Sequence, residues 1–351
     1  MKGLTGVFRS RAAGISLALG ILVFASVIVW QGIGDVAMTL SSAGWGLLIV
    51  VLFHIPPMWA DAMGWRTLIP AAQRPSRRFM LKARWIGDSI NDLLPVFQMG
   101  GNVIKAWFLM GRGVDIGRAG ASVVIDITLI VLTQILFTLF GLCLATSILG
   151  SKGAIPTVLA GAGIIAILLS GFYVAQRRGF FSFVVAVSRR LLGSPEWASV
   201  SKGAAMIDSD VLRLYRERCT VIRAGCWHMA AWFLGVFEVW FALRILGHPV
   251  DIGTAFLFES LGQAIRTGAF AVPGGLGIQE AGYILVGGVL GIDPAVSLAL
   301  SLARRGRELL LGLPGLVVWQ TSAIGRALGK SHYETATPVA SQDPAKSEGN
   351  R

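Results

Sequence analysis

Long apolar runs alternate along this chain with short polar segments crowded with arginine and lysine. The first run, residues 13–33, carries no charged side chain and follows Lys2, Arg9 and Arg11. It exceeds the ~7–15-residue core of a cleaved signal sequence and is long enough to cross a hydrocarbon layer of roughly 30 Å. The pattern therefore predicts a first transmembrane helix. A second span is expected over residues 44–64, kinked at Pro56-Pro57 because proline cannot donate a backbone hydrogen bond. Further spans are expected within residues 119–149, 154–175 and 224–246, and a last one from residue 294 to residue 324. No short alternating segments of the kind that build a membrane β-barrel are present.

Two stretches break this pattern. In residues 258–280, Glu259, Gln263 and Arg266 stand at i, i+4 and i+7, one polar stripe on a helix. Pro273, Gly274, Gly275 and Gly277 then stop that helix, and Gln279 and Glu280 open the next segment. In residues 84–105, Arg84, Asp88, Asn91 and Asp92 share a face, and Pro95 with Gly100 and Gly101 ends the helix. A broken polar helix at membrane depth is tolerated only where protein or a watery cavity covers it. Glu259, Gln263, Arg266, Gln279, Glu280, Asp88, Asn91 and Asp92 are therefore the candidate substrate-binding or gating residues. Each stretch is either a re-entrant hairpin or a pair of thin spans. One approaches from the inside and the other from the outside, which is the mark of an inverted repeat.

Charge sets the sidedness. The 351 residues carry a net charge of +12 with only 14% charged side chains, and mean hydropathy is +0.68. Basic residues gather in loops: Arg66, Arg74, Arg77, Arg78, Lys82 and Arg84 fall in one segment with no acid, and residues 176–223 hold nine Lys/Arg against four Asp/Glu. The positive-inside rule puts both segments and both termini in the cytoplasm, and it accounts for the net charge without nucleic acid. The expected organisation is an all-α polytopic membrane protein with about six full spans plus two broken helical hairpins. One transmembrane domain, residues 1–329, divides into an N-half (1–175), an inner basic loop (176–223) and a C-half (224–329). A disordered cytoplasmic tail, residues 330–351, follows. Residues 180–192 and 211–222 are amphipathic enough to lie on the membrane surface.

Catalytic and metal chemistry find little support. Cys219 and Cys226 stand seven apart on one helix, about 10 Å by helical rise and too far for a disulfide. His228 and Glu238 are about 15 Å apart by the same rise, so they do not form a metal pair. Metalloprotease, nucleophile-elbow and phosphate-loop motifs are absent from the sequence, and no metal, cofactor or catalytic residue is assigned. Several charges nevertheless sit in apolar runs, each costing at least ~2.5–3.5 kcal/mol at the bilayer centre. Some must pair. Arg304 can reach Glu308 at i, i+4, and Glu259 and Arg266 can compensate each other through Gln263. His54 and Asp61, seven apart on similar faces, either satisfy neighbouring helices or face a substrate.

Trp227-His228, Glu238-Val-Trp240, Leu246-Gly-His-Pro249, the run from Phe258 to Arg266, the run from Val272 to Glu280 and the run from Leu302 to Leu309 resemble the hopanoid biosynthesis-associated membrane proteins of the HpnL type. These belong to the flippase-like superfamily named for the transmembrane part of lysylphosphatidylglycerol synthase. The run from Asp92 to Gly101 is similar to that family's N-terminal motif. The resemblance implies a bacterial inner-membrane protein that moves hopanoids toward the outer membrane, with periplasmic or hopanoid-synthesis proteins as possible partners. Only a short tail follows the membrane part, so aminoacyl-transferase activity is not carried over. A membrane enzyme modifying a lipid or isoprenoid head group, or a scaffold for hopanoid-synthesising enzymes, stands as the alternative.

Overall fold

The computed structural model describes residues 44–94, 100–148, 171, 173–180, 182–183, 197–268 and 277–335. The expected first span, most of the fourth, Pro95, Pro273, Gly274, Gly275 and the tail beyond residue 335 lie outside the described residues. Among the described residues there are ten α-helices and no strand. Among the described residues three helical segments are long and apolar enough to cross a membrane: Leu48–Thr67, Ile116–Ala145 and Arg218–Ile245.

The first of these is two helices, α1 (Gly46–Phe53) and α2 (Ile55–Thr67), which meet at His54. Pro56 and Pro57 occupy the first turn of α2. Neither has an N–H to offer the carbonyls of Leu52 and Phe53 in α-helical register, so the ladder breaks where the sequence predicts a kink. Helix α3 (Arg77–Leu93) begins at Ser76, whose hydroxyl accepts from the Phe79 N–H at 3.3 Å. Then follow α4 (Gly100–Met110), α5 (Ile116–Ile148), α6 (Trp197–Arg216), α7 (Arg218–Ile245), α8 (Ile252–Gly268), α9 (Ile278–Val289) and α10 (Pro294–Thr335). The amphipathic segment expected at residues 211–222 is divided at Glu217 between α6 and α7. Its Val211 and Leu214 are packed into the core beside α5 rather than presented to a membrane surface.

Among the described residues two large apolar cores result, with a small third cluster around Leu298. Trp65, Met80, Ile86, Leu109 and Ile125 tie α2, α3, α4 and α5 together. Phe137, Leu243, Phe258, Tyr283 and Leu300 join α5, α7, α8, α9 and α10. On the outside of α5 and α7, Leu132, Leu136, Phe140, Phe233 and Phe237 are exposed, as side chains facing lipid would be. Small residues bring helices close where the polar groups lie. A Cβ at Gly101 would fall on the carbonyl of Gly87, so α3 and α4 cross backbone to backbone. Gly312 and Gly315 of α10 instead leave room for the side chains of Leu93 and Ser89 of α3.

Candidate functional site

Helices α2 and α7 pack antiparallel, and their polar residues meet in two rungs. His54 Nδ1 lies 2.9 Å from Glu238 Oε2, and Asp61 Oδ1 lies 2.7 Å from His228 Nδ1. The spacing of seven on α2 and ten on α7 sets each rung at a different depth, and a network of buried charges grows around each.

The first network gathers at Arg84, which is buried in the middle of α3. Its guanidinium reaches Asp88 at 2.7 Å, Asp61 at 3.2 Å and Asp126 at 3.3 Å. Lys105 of α4 meets the other oxygen of Asp88 at 3.1 Å, and His228 Nε2 lies 3.1 Å from Asp126. Five helices, α2, α3, α4, α5 and α7, thus hold three carboxylates against Arg84, Lys105 and His228. Isolated, any of these charges would be expelled or neutralised; together they compensate one another.

The second network spans α3, α7, α8, α9 and α10. Arg304, with 1% of its surface exposed, pairs with Glu259, donates to the Tyr283 hydroxyl at 2.7 Å and approaches Glu238 at 3.7 Å. Arg307 pairs with Glu238. Arg305 Nε reaches Glu280 at 3.1 Å, and its Nη1 reaches Glu308 at 3.1 Å. Arg266 closes the set, 2.7 Å from Glu308 and 3.0 Å from Asp92. The Arg266–Asp92 contact joins the two broken stretches of the sequence directly.

Each residue singled out by the sequence has a defined place. Glu259 accepts from the Gln263 amide at 2.9 Å as well as from Arg304. The Gln263 carbonyl in turn accepts from Gln134 of α5 at 3.0 Å. Glu280 folds back to accept from the Gly277 N–H at 2.6 Å, where φ is +78° and glycine is the natural residue. Gln279 is buried and donates to Ser301 at 3.1 Å. Asn91 accepts from the Gly101 N–H at 2.8 Å, so it fastens α3 to the start of α4. Asp88 belongs to the first network and Asp92 to the second. The pairings expected within single helices do not form. Arg304 turns to Glu238 and Glu259 instead of Glu308, and Arg266 turns to Asp92 and Glu308 instead of Glu259.

A cavity of about 30 Å³, room for one or two waters, lies between the networks. His54, Asp88, Ser89, Asp92, Arg307 and Glu308 supply its polar lining, and Met58, Trp85 and Leu311 its apolar wall. Of its charged lining, His54 and Asp88 keep 32% of their side-chain surface and Asp92 33%, whereas Arg307 and Glu308 keep 6%. Residues outside the candidate set, His54, Asp61, Lys105, Asp126, His228, Glu238, Tyr283, Arg304, Arg305, Arg307 and Glu308, complete the networks with Arg84. Their signal was present as ionisable side chains inside otherwise apolar runs.

The family model for the transmembrane region of lysylphosphatidylglycerol synthase matches residues 17–315. No curated protein and no solved structure matches the chain.

Proposed function

Because the chain belongs to the lysylphosphatidylglycerol synthase transmembrane-region family, membrane proteins concerned with lipid handling, we propose that it is a lipid transporter of the bacterial inner membrane and that it moves hopanoids toward the outer membrane. The observation that carries this reading is the Arg266–Asp92 contact at 3.0 Å. It joins two broken helical stretches at the open side of a buried charge network, beside a polar cavity with an apolar wall. Transporter sites are built this way, from discontinuous helices that meet at the interface of two opposed repeats. On this reading residues 84–105 and 258–280 are those repeats' counterparts, and both termini face the cytoplasm.

A hydroxylated polycyclic lipid suits such a place. Its hydroxyls exchange hydrogen bonds with Asp88, Asp92 and Arg266, and its ring system rests on Trp85, Met58 and Leu311. The cavity as it stands is too small for a head group, so the substrate enters when α3 and α10 part. On this reading the chain transports and does not catalyse, and it uses no cofactor. Alternation between closed and open forms supplies the movement.

The test compares inner- and outer-membrane lipids with Asp92→Asn and Arg266→Gln in place of the native residues. Hopanoid in the outer membrane is expected to fall to the level seen without the protein, while the variants still accumulate. A normal lipid distribution in both would refute the site. Turnover of a labelled lipid by the purified protein alone would make it an enzyme instead. Tolerance of both substitutions together with loss of function on deleting residues 176–223 would make it a scaffold.

A further inference from the structure

The two networks share a feature of charge arithmetic. Among the described residues the first holds three carboxylates, Asp61, Asp88 and Asp126, against two permanent cations, Arg84 and Lys105. The second holds five carboxylates, Asp92, Glu238, Glu259, Glu280 and Glu308, against four guanidiniums, those of Arg266, Arg304, Arg305 and Arg307. Each is one positive charge short of neutrality, and each contains one histidine held against a carboxylate. A proton on each imidazole balances both. Residues 95–99 and 269–276, which connect α3 to α4 and α8 to α9 in the sequence, contain no charged residue.

The two histidines are placed differently. His228 is sealed, with 0% of its side chain exposed and a carboxylate at each ring nitrogen. His54 keeps 32% exposure and lines the cavity. It also stands at the one position where the α1–α2 ladder is broken by Pro56 and Pro57. The charged groups that face it come from every helix around it: Glu238 from α7, Asp88 and Asp92 from α3, and Arg307 and Glu308 from α10. From α5 the nearest acid is Asp126, one rung deeper beside Asp61 and His228.

We propose that His54 with Glu238 is a proton-binding site through which this transporter couples lipid movement to a proton gradient. Protonated, the pair neutralises the second network and α2, α7 and α10 stay drawn together. Once the proton leaves for the cavity, the network carries an uncompensated negative charge next to Asp88, Asp92 and Glu308. That charge favours parting of α10 from α2 and α3 about the proline break, and so opens the cavity to the lipid. Proton release and head-group entry then become two faces of one transition. Energy in the gradient passes to the lipid because only the open form accepts it.

This proposal rests on the transport reading above, and the experiment separates the two. Full-length protein is reconstituted in vesicles of phosphatidylcholine and phosphatidylglycerol that contain a nitrobenzoxadiazole-labelled hopanoid. Dithionite quenching reads the inner and outer fractions while a pH difference is imposed. With one coupled proton per lipid, the distribution is expected to shift by up to about tenfold for each unit of pH difference. His54→Gln is expected to remove the gradient's effect on the distribution, whatever movement it retains. Movement in the native protein that ignores the gradient overturns the coupling and leaves transport standing. Failure of the native protein to move the label overturns both. Calorimetry of the same lipid binding to the native protein, in buffers of different ionisation enthalpy, supplies a second reading that needs no variant. Exchange of about one proton on binding is expected by linkage, is lost in His54→Gln, and its absence from the native protein refutes the proposal.

Discussion

Arg304 is the residue whose replacement tests the buried network most sharply. It is 1% exposed on α10, pairs with Glu259, donates to the Tyr283 hydroxyl at 2.7 Å and lies 3.7 Å from Glu238. Arg304→Met keeps the length of the side chain and removes its charge. Glu238 retains Arg307 and His54, but Glu259, itself 2% exposed, retains only the Gln263 amide at 2.9 Å. Two unit charges about 4 Å apart attract by roughly 4 kcal/mol at an effective dielectric near 20. Leaving one member of a buried pair unmatched costs about 3–5 kcal/mol in practice. At about 2 °C per kcal/mol for a chain larger than 150 residues, the midpoint of thermal unfolding in detergent, followed by tryptophan fluorescence, is expected to fall by about 6–10 °C. The informative comparison is the double variant Arg304→Met/Glu259→Gln. It removes both charges, leaves no orphaned carboxylate, and is expected to recover to within about 1 kcal/mol of the native protein, as neutral replacement of a buried pair commonly does. A single variant as stable as the native chain would refute the pairing. So would a double variant destabilised by the sum of its parts.

Other substitutions test separate links. Gly101→Ala places a methyl group on the carbonyl of Gly87 and should cost about 1–3 kcal/mol by overpacking; an unchanged melting curve would show that α3 and α4 do not cross there. Asp251 accepts from the Thr254 hydroxyl at 2.5 Å and from the N–H groups of Thr254 at 3.1 Å and Gly253 at 2.8 Å, outside the membrane at the start of α8. Those bonds, the Thr254 hydroxyl first, hold its carboxyl below the usual range. Its contribution is therefore complete above the ordinary carboxylate value of about 4 and is lost as the pH falls through the folded value. Asp251→Ala should cost about 1 kcal/mol at neutral pH, with the gap to the native protein closing in acid; a gap that widens in acid would contradict the hydrogen-bond assignment. Arg266→Gln and Asp92→Asn should abolish hopanoid delivery without loss of protein, and His54→Gln should uncouple movement from the proton gradient.

Several features of the molecule were fixed by local chemistry, and the sequence by itself determined them. Apolar runs near residues 44–64, 119–149 and 224–246 are helices because a backbone in hydrocarbon must satisfy its own hydrogen bonds. The break at His54 follows from two prolines, whose missing donors act on the residues just before them. The α3–α4 element and the turn at Gly277 were visible as glycines after polar stripes, since glycine is the residue that allows close approach and positive φ. Most partners of the buried charges were not visible. A stripe at i, i+4 and i+7 gives distances along one helix only, and from that spacing Arg304 belongs to Glu308 and Arg266 to Glu259. Arg84 and Asp88 do pair within α3, but the folded chain turns Arg304 and Arg266 to carboxylates that neighbouring helices bring to their guanidiniums. Which helices meet, and in what register, depends on where glycines let backbones approach and on the antiparallel order of α2 and α7 that sets His54 on Glu238 and Asp61 on His228. The chain therefore encodes in its sequence that charges must be compensated inside the membrane, and only the tertiary structure decides by which neighbour.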